Sequence, residues 1–218
     1  MSKWIRNNSL SIVFLLLFAI SLTGQFITGW KEHNKNLAEH HMMHIAMTQY
    51  VRSGHFLEST FENWESEFLQ MVLFVVLTIS LRQKGSSEAK EEGKKDSVDR
   101  EPSPKRKGAP WPVIKGGWIL TVYKYSLTIA LFILFAFSFG MHLYGSLKDE
   151  NEQLALKGLP QETLGYFLGD SRFWFESFQN WQSEFLSVFV VVVLSIYLRQ
   201  KGSPQSKPVD VPDSETGK

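Results

Sequence analysis

Two long stretches of this sequence carry no Asp, Glu, Lys or Arg: residues 7–30, which is 24 residues, and residues 125–147, which is 23. A helix rises 1.5 Å per residue, so about 20 apolar residues cross a hydrocarbon core roughly 30 Å thick. Both stretches are long enough. The first holds Ile12, Val13, Phe14, Leu15, Leu16, Leu17 and Phe18 in a row, and the second holds Ile129, Ala130, Leu131, Phe132, Ile133, Leu134 and Phe135. Their apolar residues run all round the helix. Such a helix is buried in a large core or in lipid, and no other segment of the chain is large enough to build that core.

Two shorter charge-free gaps, residues 68–81 and 185–198, are 14 residues each. Extended back to their aromatic flanks they become 61–81 and 178–198, each about 31 Å as helix. The reading is therefore all-α and integral to a membrane. Four transmembrane helices are expected, near 9–28, 61–81, 120–144 and 178–198. Lys3 and Arg6 before an apolar run also suit a signal peptide. An equivalent segment recurs inside the chain, where no signal peptide can lie, and this argues against cleavage.

The recurrence has a fixed offset of 117. From Phe61 to Ser86, 17 of 26 residues are identical to those 117 positions later. Ser9-Leu10-Ser11-Ile12 falls likewise on Ser126-Leu127-Thr128-Ile129. One gapless shift serving both ends of a unit points to a tandem duplication of a helical hairpin. Two crossings per unit make the repeats parallel, related by a pseudo-two-fold axis along the membrane normal. The expected domains are a first hairpin at 1–87, a charged disordered linker at 88–110, a second hairpin at 111–203 and a disordered tail at 204–218.

Charge gives an orientation. The termini and the central linker hold 17 of the 23 basic residues, and the two hairpin loops hold 6. Basic residues favour the cytoplasmic side, so both termini and the linker are expected there. The formal net charge is +1, against nucleic-acid binding by bulk charge, and the chain has no cysteine, which removes disulfides and thiolate metal sites.

Few residues are placed to carry chemistry. Glu67 and Glu184 occupy equivalent positions, six residues into helices that start at Phe61 and Phe178, about 9 Å along the axis. An ionisable group at such depth is costly and marks a candidate site. Asn63 and Asn180 lie four residues earlier on the same face, placed to bond the carboxyls. Together these four form a candidate intramembrane polar site. The plainer reading puts both glutamates in the headgroup region beside Trp64 and Trp181, marking helix starts, and Glu62 and Glu65 favour that wet setting. In the first loop, His40, His41 and His44 are candidate metal ligands. His40 and His44 are spaced to share a helix face, with Met42, Met43 and Met47 around them. A solvated amphipathic loop explains the same residues, and no cofactor is expected. His142 and its counterpart Gln25 are expected to hydrogen-bond a neighbouring helix.

The run Phe173-Trp174-Phe175-Glu176-Ser177-Phe178-Gln179-Asn180-Trp181-Gln182-Ser183-Glu184-Phe185-Leu186, followed by Leu198-Arg199-Gln200-Lys201-Gly202-Ser203-Pro204, resembles an uncharacterised family of bacterial integral membrane proteins. The resemblance extends over nearly the whole chain and implies a location in the bacterial inner membrane, and the family brings no assigned activity with it. The functional expectation is a small non-enzymatic membrane protein, structural or accessory. Its partners would be the bilayer and either other copies of itself or other membrane proteins. The alternative is a proton- or ion-coupled transporter or channel using Glu67 and Glu184.

Overall fold

Three helices in the first half of the chain begin 117 residues before a counterpart in the second. A computed structural model describes residues 3–90, 93 and 96–216. Parts of the linker (91, 92, 94 and 95) and the last two tail residues (217 and 218) lie outside the described residues. After a short α1 (Lys3–Asn7) come α2 (Ser9–Glu39), α3 (Met47–Tyr50) and α4 (Gly54–Leu77). Two short helices follow, α5 (Trp111–Lys115) and α6 (Gly117–Lys124). The chain then continues through α7 (Ser126–Leu156), α8 (Leu164–Gly169) and α9 (Ser171–Tyr197). The described residues contain no strand.

The helices run well past the expected apolar cores. Hydropathy marks only the part of a helix that needs an apolar setting, whereas caps and backbone bonds set its ends. Helix α2 stops where His41 takes a left-handed φ of 57°. The Met42 N–H then donates to the Leu37 carbonyl at 2.8 Å and the His41 N–H to that of Ala38 at 3.0 Å. That is the Schellman closure. Helix α7 ends the same way 117 residues on. Gly158 sits at φ 69°, the Leu159 N–H donates to Leu154 at 2.9 Å, and the Gly158 N–H donates to Ala155 at 3.1 Å. Starts match too. The Ser53 hydroxyl accepts the Phe56 N–H at 3.2 Å ahead of α4, and the Asp170 carboxylate accepts the Arg172 N–H at 2.6 Å ahead of α9. Both side chains satisfy amides that a helix start leaves without partners.

Three helices are long and apolar enough to cross a membrane: α2, α7 and α9. The expected fourth, α4, is not among them. It carries Glu58, Glu62, Glu65 and Glu67 within 24 residues. Its apolar end, residues 68–77, covers only about 15 Å.

The chain divides into two compact units. Unit 1 comprises Met1–Phe61 and Gly140–Phe173. It contains both loop regions, and each loop is anchored by one asparagine. The Asn34 amide donates to the Ile45 carbonyl at 3.1 Å while its oxygen accepts the Ile45 N–H at 2.7 Å. Asn151 does the same to Glu162, at 3.1 and 2.6 Å. Tyr50 and Phe167, again 117 apart, fill the space beneath, each 1% exposed. Gln25 donates to the hydroxyls of Ser59 and Thr60 at 3.3 Å, tying α2 to α4 as expected. Helices α4 and α7 approach closely at glycines. A Cβ on Gly145 would lie 2.5 Å from the Glu58 nitrogen, and one on Gly54 would lie 2.2 Å from the Asp149 nitrogen.

Unit 2 comprises Glu62–Phe139 and Trp174–Lys218. Here the tail is held by polar bonds. Arg199 donates to the Val211 carbonyl at 2.9 Å and the Asp213 carboxylate at 2.8 Å. The Lys207 ammonium, nearly fully buried, donates to the carbonyls of Pro212, Asp213 and Glu215. Ser87 donates to the Gln205 carbonyl at 3.0 Å.

Gly145→Ala is expected to lower the thermal midpoint in detergent by the equivalent of about 2 kcal/mol, because overpacking forces the two helices apart. Gly140→Ala, with nothing within 4 Å of its added carbon, is expected to leave it unchanged or raise it. His41→Gly is expected to raise it by about 1 kcal/mol, since a left-handed non-glycine residue is strained.

Candidate functional site

Helix α4 starts at Gly54 and α9 at Ser171, so Glu67 and Glu184 each lie 13 residues in. That is about 20 Å along the axis, not the 9 Å expected from the aromatic flanks. Neither glutamate marks a helix start. Within unit 2 the two carboxyls face each other. Glu184 is half-buried and Glu67 is more exposed. One turn further on, the Gln70 amide donates to the Glu184 carbonyl and to the Ser187 hydroxyl, both at 2.8 Å. Positions 67 and 184 are equivalent, and so are 70 and 187. Each thus meets its own counterpart.

Asn180 takes another partner. Asn180 donates back along its own helix to the Glu176 carbonyl at 3.2 Å, and the Asn63 carbonyl accepts the Ser66 hydroxyl at 2.9 Å. Glu65, expected in a wet setting, is 0% exposed. It accepts the Trp181 indole N–H at 2.8 Å. Net charge along a helix cannot show which face turns inward, and Glu65 faces protein. Trp181 is accordingly a bond between α4 and α9.

Unit 1 holds a second polar cluster that the sequence reading did not assemble. Arg172 donates to Glu58 at 3.1 Å, to Asp149 at 3.4 Å, and to Glu150. Glu58 and Asp149 are both buried. The residues 117 positions before Glu150 and Arg172 are His33 and His55, whose rings lie 5.5 Å apart. The Tyr50 hydroxyl bonds His55 Nδ1 at 2.9 Å. An ion pair at one place is therefore a histidine pair 117 residues earlier, and that offset was the signal for it. Burial, then the negative charges of Glu32 and Asp149, push the Tyr50 phenol up to about 12.

The proposed metal ligands are placed differently from expectation. Helix α2 ends at Glu39, so His40 and His44 share no helix face. His40, His41 and His44 are all exposed. His41 occupies the left-handed closing position of α2. His142 is fully buried, its ring 4.9 Å from that of Phe173.

The family described as Domain of unknown function (DUF6766) matches residues 1–218. The chain belongs to the DUF6766 family. No curated protein and no solved structure matches it significantly. The DUF6766 match spans every polar cluster described above.

Tyr50→Phe should be tolerated in this DUF6766 chain, because phenylalanine fills the equivalent buried position at 167. It should cost about 1 kcal/mol for the bond to His55. An ordinary phenol ionises near 10. Raised to about 12, the Tyr50 phenol gives stability that is complete below about pH 10 and is lost as pH climbs towards 12. Alkaline denaturation followed by circular dichroism should show that loss in the wild type and a smaller one in Tyr50→Phe.

Proposed function

We propose that this chain is a small non-enzymatic protein of the bacterial inner membrane, acting as a structural or accessory component through helix packing. One observation carries the membrane reading: the most apolar window of α2 is 0% buried by the rest of the protein. Leu10, Phe14, Leu15 and Ile20 are each more than 60% exposed. A continuous apolar face of that extent needs a covering, and lipid supplies one. The structural role is supported by how the buried polar side chains are used. Glu65, Gln25, Gln70 and Arg172 all make bonds between helices.

The two halves are copies of one hairpin, a reading supported by matched helix starts, matched Schellman closures and the twin Asn34 and Asn151 anchors. The bias of basic residues places the termini and linker on the cytoplasmic side. Helix α4 then brings the chain back between α2 and α7, with Glu65 turned into protein.

A second reading rests on the Glu67–Glu184 contact. Two carboxyls facing each other deep along their helices suit proton-coupled transport, with the protein acting as an oligomer.

The membrane reading is tested by alkaline carbonate extraction. The protein should stay with the pellet and leave it only in detergent; release by carbonate alone would end the proposal. The chain has no cysteine, so Ser97→Cys and Ser203→Cys report orientation cleanly. Both should resist an impermeant maleimide in intact cells and react after lysis. For the second reading, proteoliposomes should show a proton flux that the Glu67→Gln, Glu184→Gln double variant reduces at least about tenfold. Absence of flux in the wild type favours the structural role.

A further inference from the structure

The two copies differ most where α4 and α9 end. Helix α9 runs to Tyr197, but α4 stops at Leu77, the counterpart of Leu194, and turns away at residues 78–80. The Thr78 hydroxyl donates to the Phe74 carbonyl at 2.7 Å. Such a back-bond bends helices. Within unit 2 this leaves a cavity of about 560 Å³, the size of a small-molecule site. Its walls are almost wholly apolar, formed by Leu73, Phe74, Leu77, Phe185, Phe189 and Val192.

Two opposite charges also line it, Arg82 and Glu88. The counterpart of Arg82 is Arg199, whose guanidinium is taken up by helix-end carbonyls, the Val211 carbonyl and Asp213. Among the described residues Arg82 has no such engagement: it is exposed and forms no ion pair. Among the described residues the Glu88 carboxylate receives only the Ser87 hydroxyl, at 3.4 Å, and forms no ion pair. An apolar slot with one open cation and one open anion matches an amphiphile that carries a chain, a phosphate and an ammonium.

We propose that this cavity binds a phospholipid with an amine headgroup. An acyl chain lies in the slot, Arg82 bonds the phosphate and Glu88 bonds the ammonium. Guanidinium–phosphate and ammonium–carboxylate bonds are both charge-assisted and strong where water is scarce. This proposal rests on the membrane reading above. That reading fails if carbonate releases the protein, whereas this one fails in detergent-extracted protein that has behaved as an integral membrane protein.

The test is native mass spectrometry of the extracted protein. The probes are dioleoyl phosphatidylethanolamine, phosphatidylglycerol and phosphatidylcholine, added singly. Phosphatidylethanolamine should be retained about tenfold better than the other two, as one added charge-assisted bond implies. Arg82→Gln should weaken retention of all three. Glu88→Gln should remove only the preference for the amine. Arg199→Gln should change neither, and Leu77→Trp, which fills the slot, should displace all three. Circular dichroism melts confirm that each variant is folded. Equal retention of the three lipids, a preference for phosphatidylglycerol, or an Arg82→Gln variant that binds like the wild type would overturn the proposal. So would displacement of the lipid by an equal concentration of soluble phosphoethanolamine.

Discussion

The chain makes more apolar helix surface than it can cover. Helix α2 leaves Leu10, Val13, Phe14, Leu15, Leu16, Leu17, Phe18 and Ile20 exposed. In water a face of that size would drive aggregation. In hydrocarbon it is neutral, but there the backbone must satisfy every N–H and C=O internally, and helices do so. Long helices, short loops and glycine-mediated contacts between α4 and α7 follow from that one excess.

Lipid also removes the usual reason for helices to associate, since an apolar side chain gains nothing by leaving lipid for protein. Packing and polar bonds take over. Gln25 reaches two hydroxyls of α4, Trp181 reaches Glu65, and Gln70 reaches both a carbonyl and a hydroxyl of α9. Each such bond is worth about 0.6 kcal/mol on average in a membrane setting. Their value lies in register: a slide of one residue breaks all of them together. Arg172 does the same in unit 1 at higher stakes, because Glu58 and Asp149 are buried charges that need a cation beside them.

Much of the helical layout was legible. The charge-free runs at 7–30 and 125–147 located α2 and α7, because a span needs what a charge gap supplies. Their polar ends were hidden. Residues 31–39 look like loop by hydropathy yet remain helix until His41 closes it. The similarity between the loops was hidden for a related reason. Serine and aspartate both cap, tyrosine and phenylalanine both fill, and histidine stands where its counterpart is glycine, so roles recur without letters. The glutamates of α4 misled: they suggested water around Glu65, which is sealed. Helical charge counts carry no information about tertiary neighbours, and Glu65 is decided by Trp181.

Positions 70 and 187, 117 residues apart, bond each other, and the bond joins unlike residues. Between two identical chains meeting at one such pair of positions, that place would hold either two glutamines or two serines. A glutamine donating to a serine is open only to a single polypeptide that carries both helices. Carrying α4 and α9 on one chain therefore leaves such a pair, which identical subunits hold in lockstep, free to hold a complementary donor and acceptor.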